Sequence, residues 1–289
     1  MVQIPIGCDI KILLDCNELH TKEYYSNVIK EFKECGFRYF NFHFGEMLRS
    51  EDSVRWAHTI REALEETGAK CSLVHEPIPA MFEQTDEKRE LCRRTLQLCS
   101  ILGIDWIATH PIPTNGNFNR DQIEQIKERH REYFEEYVPE LEKWNVGVAV
   151  ENLSNIFSLN YDGTKRMFGD NPYDLIEIVD RVGSDKVQLC LDIGHLHTMG
   201  LFDIGDVVRD MGPRLKALHV HDNNAMADQH YFPYMGSIDW KAFVDALREI
   251  GYEGVFMYEA DKIPSKYPTA LKKPCLKFMG EIAEYIVSL

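Results

Sequence analysis

Nothing in this chain of 289 residues approaches the run of ~18 uninterrupted apolar positions that a membrane-spanning helix needs. The start, MVQIPIGCDI, lacks a charged segment followed by a long apolar one, which is the mark of an export signal. These absences lead to the expectation of a cytoplasmic protein without a membrane partner. The chain also has no GxxxxGK[ST] phosphate loop, no GxGxxG opening a helix, no GxSxG elbow and no HExxH pair. Nucleotide cofactors and serine-hydrolase chemistry are therefore not expected. No CxxC pair occurs either; Cys8, Cys16, Cys35, Cys71, Cys92, Cys99, Cys190 and Cys275 are spread singly and read as reduced, mostly packed thiols. Positive charge is scarce, with 32 Lys and Arg against 47 Asp and Glu, a net charge of −15. Such a surface repels a phosphate backbone, so nucleic acid is not an expected partner. Low-complexity stretches and Pro/Gly-rich linkers are missing as well, and 1–289 reads as a single domain.

What the chain does have is a regular alternation. Apolar or β-branched runs occur near 4–9, 38–44, 71–75, 106–110, 146–151, 187–192, 215–221 and 254–259. Between them lie stretches of helical spacing: Leu91, Leu98 and Leu102 in 86–102; Ile123, Ile126, Phe134, Val138 and Leu141 in 121–144; Phe243, Leu247 and Ile250 in 239–250. The Met and aromatic residues of 23–35 and 272–288 read as core stripes. Gly36, Gly68, Gly103, Gly183 and Gly251 stand where helix C-caps stand. Nearly unbroken apolar strands such as VQLCL suit a parallel sheet covered on both faces. The expected fold is an α/β (β/α)8 TIM barrel, in which chemistry collects at the C-terminal ends of the strands.

Those ends are where the polar residues fall. The runs finish as LVHEP (His75), IATHP (His110), VAVENL (Glu151), LCLDIGH (Asp192, His195), ALHVHDN (His219, His221) and FMYEA (Glu259), and His43 closes NFHF. An ionised carboxylate buried at a barrel mouth needs a counter-charge. One source is a salt bridge to Arg or Lys, but neighbouring strand ends offer few. The other is a divalent cation, since nitrogen and oxygen ligands suit Zn²⁺, Mn²⁺ or Co²⁺. His219 and His221 are two apart on a strand and share a side, so either can be the ligand. His75 and His110 are followed closely by proline, which turns the chain away and also allows a purely structural role. The long connection 222–237 carries a D-x-H pair, Asp228 and His230, and a loop of that length is usually functional. His20, His58 and His130 read as surface or packing residues; His43 and His197 stay open.

VENL, LDIGH, HVHDN, the D-x-H pair followed by IDW, and a glutamate ending the last strand come in this order along essentially the whole chain. In that order they resemble the xylose-isomerase-like TIM barrels, a superfamily of sugar isomerases and epimerases together with metal-dependent apurinic endonucleases (family 2). The ketose 3-epimerase branch implies a metal held by Glu151, Asp192, His219 and Glu259, with His221 as the alternative to His219 and His195 touching substrate. The endonuclease branch, which holds three zinc ions, implies additional ligands at His75, His110, His195, Asp228 and His230. The loops 45–53 and 76–90, which would have to enter a duplex, carry eight carboxylates against three basic residues, and YFPYMGSIDW suits a lid over a small ligand.

The reading that follows is a metal-dependent isomerase or epimerase of a small sugar or sugar derivative. Glu151 and Glu259 would be the base and acid of a proton transfer through a metal-stabilised enediolate, with His195 and His221 on substrate hydroxyls. A multi-zinc phosphodiester hydrolase is the alternative; a dehydratase of a polyol derivative and a non-catalytic sugar-binding protein complete the set. The expected partner is a small carbohydrate, with self-association into a homo-oligomer left open.

Overall fold

The apolar runs pair with one another because each is short, flanked by polar turns and buried on both faces. The computed structural model describes residues 4–14, 21–75, 85–111, 115–116, 118–154 and 166–289. Its strands are β1 Ile6–Asp9, β2 Tyr39–Phe42, β3 Lys70–His75, β4 Trp106–Thr109, β5 Gly147–Glu151, β6 Val187–Asp192, β7 Leu215–His219 and β8 Phe256–Met257. Each is parallel to its neighbour in chain order, and β8 returns to pair with β1. Closure comes from a parallel bridge between Val220 and Tyr258, just past β7 and β8. There the Val220 N–H donates to the Met257 carbonyl (2.8 Å), and the Glu259 N–H donates to the Val220 carbonyl (3.0 Å).

The outer ring is α1 Lys22–Glu34, α2 Ser53–Thr67, α3 Asp86–Leu102, α4 Arg120–Trp144, α5 Pro172–Val182, the short α6 Ile193–Met199, α7 Ile204–Met211, α8 Trp240–Glu249 and α9 Thr269–Ser288. Successive helices pack side by side, and α9 closes the ring against α1. Gly68, Gly103 and Gly183 cap α2, α3 and α5 in left-handed conformation, and Gly36 and Gly251 follow their helices at positive φ. No helix among the described residues is long and apolar enough to cross a membrane. Cys16, His20 and the 76–84 part of the acidic loop lie outside the described residues.

One expectation is corrected. In α9 the stripe that faces the barrel is Leu276, Met279, Ala283 and Ile286, whereas Phe278 and Tyr285 are more than half exposed. A helix of the outer ring meets the barrel with one face, and helical spacing cannot say how far the core wraps around it.

The interior of the barrel explains the placement of the site. Leu73, Ala108, Ala149, Cys190, Ala217 and Met257, one from each of β3 to β8, point inward and form a small cluster closed below by Tyr39, Trp106 and Val255. Gly147 is required there, since a Cβ would stand 2.2 Å from the Trp106 ring. Side chains alternate along a strand, so the residue two further on points to the same side, one layer higher. Those residues are His75, His110, Glu151, Asp192, His219 and Glu259.

Candidate active site and metal centre

The layer above the apolar plug is a ring of carboxylates and imidazoles. Glu151 is its hub: one oxygen lies 3.0 Å from His219 Nδ1, the other 3.2 Å from His75 Nε2 and 3.5 Å from His110 Nε2. Glu259 reaches the same His219 Nδ1 from the other side, at 3.1 Å. Donor atoms of Glu151, Asp192, His219 and Glu259 all lie within 4.8 Å of one another, and so do those of His75, His110 and Glu151. A further group joins His195, His221, Asp228 and His230. The structure thus places His219 and His221 in different groups, His219 between the two glutamates and His221 beside Asp192 (3.1 Å) and Asp228 (3.5 Å).

Local structure aims these groups. Asp192 is the N-cap of α6 and accepts from the His195 N–H with one oxygen (2.6 Å). Asn152 brackets the same strand end: its side chain donates to the Asp192 carbonyl (2.9 Å) and accepts from the Asp192 N–H (2.8 Å). The Asn152 carbonyl accepts from His195 Nδ1 (2.9 Å), which leaves Nε2 of that ring for a ligand. His230 Nδ1 donates in the same way to the Glu259 carbonyl (2.5 Å), and its Nε2 meets Asp228 (2.9 Å). The connection 222–237 is folded back rather than structureless, by an antiparallel bridge from Asp222 to Tyr231. The Asp222 carboxylate, fully buried, accepts from the Asn223, Tyr234 and Ile238 N–H groups and from the Trp240 indole. His221 stacks on His230 at 4.0 Å between centroids. Gly194 makes room for it, since a Cβ there would stand 1.9 Å from the His221 ring.

Electrostatics set this ring apart. Among the described residues no Lys or Arg pairs with Glu151, Asp192 or Glu259; every ion-pair partner is a histidine. Lys262 alone approaches, 3.7 Å from Asp228. Burial would raise the Glu151 carboxyl, but His219 and His110 outweigh it and hold it well below the carboxylate range. Burial would lower His219, yet Glu151 and Glu259 raise it to about 10. Against burial, Asp192 and Asp228 raise His195, Asp228 and Glu259 raise His230, and Glu151 raises His110, while Asp192 and Asp228 are lowered against burial by the histidines. Close approach is not bonding here: Glu151 Oε1, Asp192 Oδ2, Glu259 Oε2, Asp228 Oδ1 and both nitrogens of His219 and His221 are buried without a hydrogen-bond partner. Orphaned donor atoms in mutual reach, with too few fixed cations, fit a divalent metal, and the mixed N/O set suits Zn²⁺, Mn²⁺ or Co²⁺.

The remaining histidines sort cleanly. His130 is buried and bonds the Ile126 carbonyl (2.7 Å), and His58 is on the surface. His197 bonds Ser237 (2.8 Å), tying α6 to the 222–237 connection. His43 belongs to a second cluster that sequence reasoning passed over: its Nε2 is 2.8 Å from Asp9, which also pairs with Lys11 (3.2 Å) and accepts from Asn41 (3.3 Å). Asn41 in β2 and His43 just past it are two residues apart and so share a side, and Asp9 ends the neighbouring β1.

A closed parallel barrel with carboxylates and imidazoles gathered on its C-terminal rim is the architecture of a TIM-barrel protein whose chemistry sits at the strand ends. The family model described as xylose isomerase-like TIM barrel matches residues 29–277, and the chain belongs to that family. The chain is 28% identical over 218 residues to an inosose isomerase of Bacillus velezensis, covering 72% of each. It matches 64% of the length of an uncharacterized protein of Methanocaldococcus jannaschii and 51% of one from Sinorhizobium fredii, each at 28% identity. Among solved structures, a D-psicose 3-epimerase determined in the presence of D-fructose superposes with a TM-score of 0.73 at 15% identity, over 98% of this chain and 100% of that one. The IolI protein with a bound zinc atom gives 0.73 at 20% identity, over 98% of both. These two likenesses establish the fold.

Proposed function

We propose that this protein is a metal-dependent isomerase or epimerase of a small polyhydroxy ketone. The observation that carries the reading is the convergence of two glutamates, Glu151 and Glu259, on one imidazole nitrogen, at 3.0 and 3.1 Å, beside Asp192 and without a Lys or Arg among the described residues. The names of relatives point the same way: inosose isomerase and D-psicose 3-epimerase both act on polyhydroxy ketones. Glu151, Asp192, His219 and Glu259 are the residues that would hold the cation. When bound, it supplies a Lewis acid for the negative charge that develops on the substrate's carbonyl oxygen.

The chain's own groups do the rest. Glu151 is kept ionised by its histidine neighbours, as a proton acceptor must be. Glu259, on the strand that closes the barrel, stands across His219 from it and is the one partly open to the mouth. Removal of a proton beside the carbonyl by one glutamate and return by the other, on the opposite face, inverts or relocates the substituents there. His195 and His221 hold substrate hydroxyls in position. A direct test is incubation of Mn²⁺- or Co²⁺-loaded protein with D-psicose, D-fructose and an inosose in D2O. Interconversion or deuterium uptake at the carbon beside the carbonyl is expected; neither, with any of the three, would sink the reading. Elimination of water after the same proton abstraction, as a dehydratase performs it, would show as a product of lower mass.

A second reading rests on a specific observation, the two further donor groups adjoining the four-residue set. With several cations held side by side, the rim acquires the means to activate water and stabilise a leaving oxygen, the chemistry of phosphodiester hydrolysis. Three metal ions per chain together with cleavage of an abasic duplex would establish it.

A further inference from the structure

The ends of β1 and β2 carry a polar cluster that neither the metal groups nor the proton transfer use. Asp9 and Asn41 are buried, whereas His43 and Lys11 have about a third and a half of their side chains open to the mouth. In the order of an eight-stranded barrel this corner stands across from β5 and β6, which carry Glu151 and Asp192. It is continuous with the metal groups on both sides. The His43 ring lies 5.8 Å from that of His75, and Lys11 Nζ lies 3.1 Å from Asp261, two residues past Glu259.

Its hydrogen-bond inventory is uneven. Asp9 Oδ2 faces His43 Nε2 (2.8 Å), Lys11 Nζ (3.2 Å) and Asn41 Nδ2 (3.3 Å). Lys11 is further engaged by Asp261 and lies 3.4 Å from His43 Nε2. One lysine therefore answers two carboxylates, and no positive charge is left over. Asn41 Oδ1, in a residue only 2% exposed, has no donor among the described residues. An orphaned acceptor of that kind calls for an O–H or N–H from elsewhere. A phosphate or carboxylate brings acceptors only and would meet a surplus of negative charge. A hydroxyl brings a donor for Asn41 and an acceptor for the N–H groups of Lys11 and His43. The strand-to-helix segments outside the described residues contain five carboxylates and, as Lys or Arg, Lys165 alone.

We infer that Asp9, Lys11, Asn41 and His43 form a hydroxyl-reading subsite, which anchors the end of a neutral polyol remote from its reacting carbonyl and refuses a phosphate there. The inference rests on the proposed reading for the location of the reacting carbon, but binding alone tests it. Sites that hydrogen-bond a substrate hydroxyl discriminate strongly against analogues lacking it, because their polar groups are then left unpaired.

The experiment uses Mn²⁺-loaded wild-type protein and the variants Asn41→Leu and His43→Phe. Calorimetric titrations are run with D-psicose, with D-fructose and its 6-phosphate, and with erythrulose, a four-carbon ketose that lacks the two terminal carbons of a ketohexose and their hydroxyls. Metal content and melting temperature serve as folding controls; His43→Phe changes a partly exposed side chain and is the safer variant. Wild-type protein is expected to bind a ketohexose at least tenfold more tightly than erythrulose and no less tightly than the 6-phosphate. His43→Phe should cut the ketohexose preference by tenfold or more while leaving erythrulose within threefold. Binding with this pattern but without turnover refutes the isomerase reading and keeps the subsite. Turnover with the preference intact in a folded variant overturns the subsite and keeps the isomerase reading. Tighter binding of the 6-phosphate, or no binding of any ketose, also overturns the subsite.

Discussion

Two parts of one rim solve the same electrostatic problem in different ways. At β1 and β2, buried Asp9 is answered by a lysine 3.2 Å away and an imidazole at 2.8 Å, both fixed parts of the chain. From β3 to β8, Glu151, Asp192 and Glu259 are answered among the described residues by imidazoles only. An imidazole is a counter-ion only while it keeps its proton, and a metal ligand only when it gives one up. The first corner therefore carries its own counter-charge and lacks only a hydrogen-bond donor for Asn41. On the proposed reading the longer arc exchanges protons for a metal, and that exchange would make it reactive.

The sharpest way to break this contrast is to remove one carboxylate from each part. Glu151→Gln touches all three candidate donor groups that share it. It is expected to lower kcat/KM by about 10²- to 10⁴-fold, the range of a lost proton-transfer group, and to reduce bound metal. Asp9→Asn should leave metal content unchanged and act on KM, by about tenfold, since it disturbs Lys11 and His43 rather than the cation. Steady-state kinetics on the isomerised ketose with elemental analysis separates the two. Equal metal loss in both variants would erase the distinction between the parts.

Removing the metal should change how stability responds to pH. His219 is raised in the folded chain from 6.5 to about 10, against burial and by Glu151 and Glu259. Its contribution is fully present below about pH 6.5 and is lost as pH rises toward 10. Glu151, lowered from 4.5, contributes above that value and loses its contribution as pH falls. Chelator-treated protein should therefore be most stable near pH 5 to 6 and melt at progressively lower temperature toward pH 9. Metal-loaded protein should gain relative to it over the same range, because binding displaces those protons. Asp9 is also lowered, against burial, by His43 and Lys11, and Lys11 is raised from 10.5 against burial by Asp9 and Asp261. That pairing should persist through pH 9, so the cost of Asp9→Asn should not track the chelator effect. Parallel thermal melts at pH 6 and pH 9 decide it.

The contrast also explains what was readable without coordinates. Strands such as VQLCLD and helices such as 86–102 announce themselves by period and by their caps, and the barrel follows from their alternation. The metal arc was readable because each apolar run stops on a histidine or carboxylate. Asp9 was hidden because apolar residues resume at once in DIKIL, where it caps a short 3-10 helix. Asn41 was hidden inside YFNFHF, where a polar residue on the inward face looks like an interruption of the strand. Asn152 and Asp222 act through backbone groups 40 and up to 16 residues away, partners that no local pattern reveals.

The smallest effect tests whether His221 serves substrate or metal. Gly194 sits in α6, where alanine would otherwise favour the helix by about 1 kcal/mol. A Cβ at that position would stand 1.9 Å from the His221 ring, so Gly194→Ala must displace the imidazole from Asp192 and from its stack on His230. Under the isomerase reading His221 contributes a hydrogen bond to substrate, and its loss should raise KM by about tenfold. Turnover at saturation and metal content should hold, because Glu151, Asp192, His219 and Glu259 keep their positions. Under the hydrolase reading the same shift removes a donor from the group of His195, Asp228 and His230, and at least one equivalent of metal should go with it. Metal per chain in this one variant thus separates a substrate-holding imidazole from a ligand.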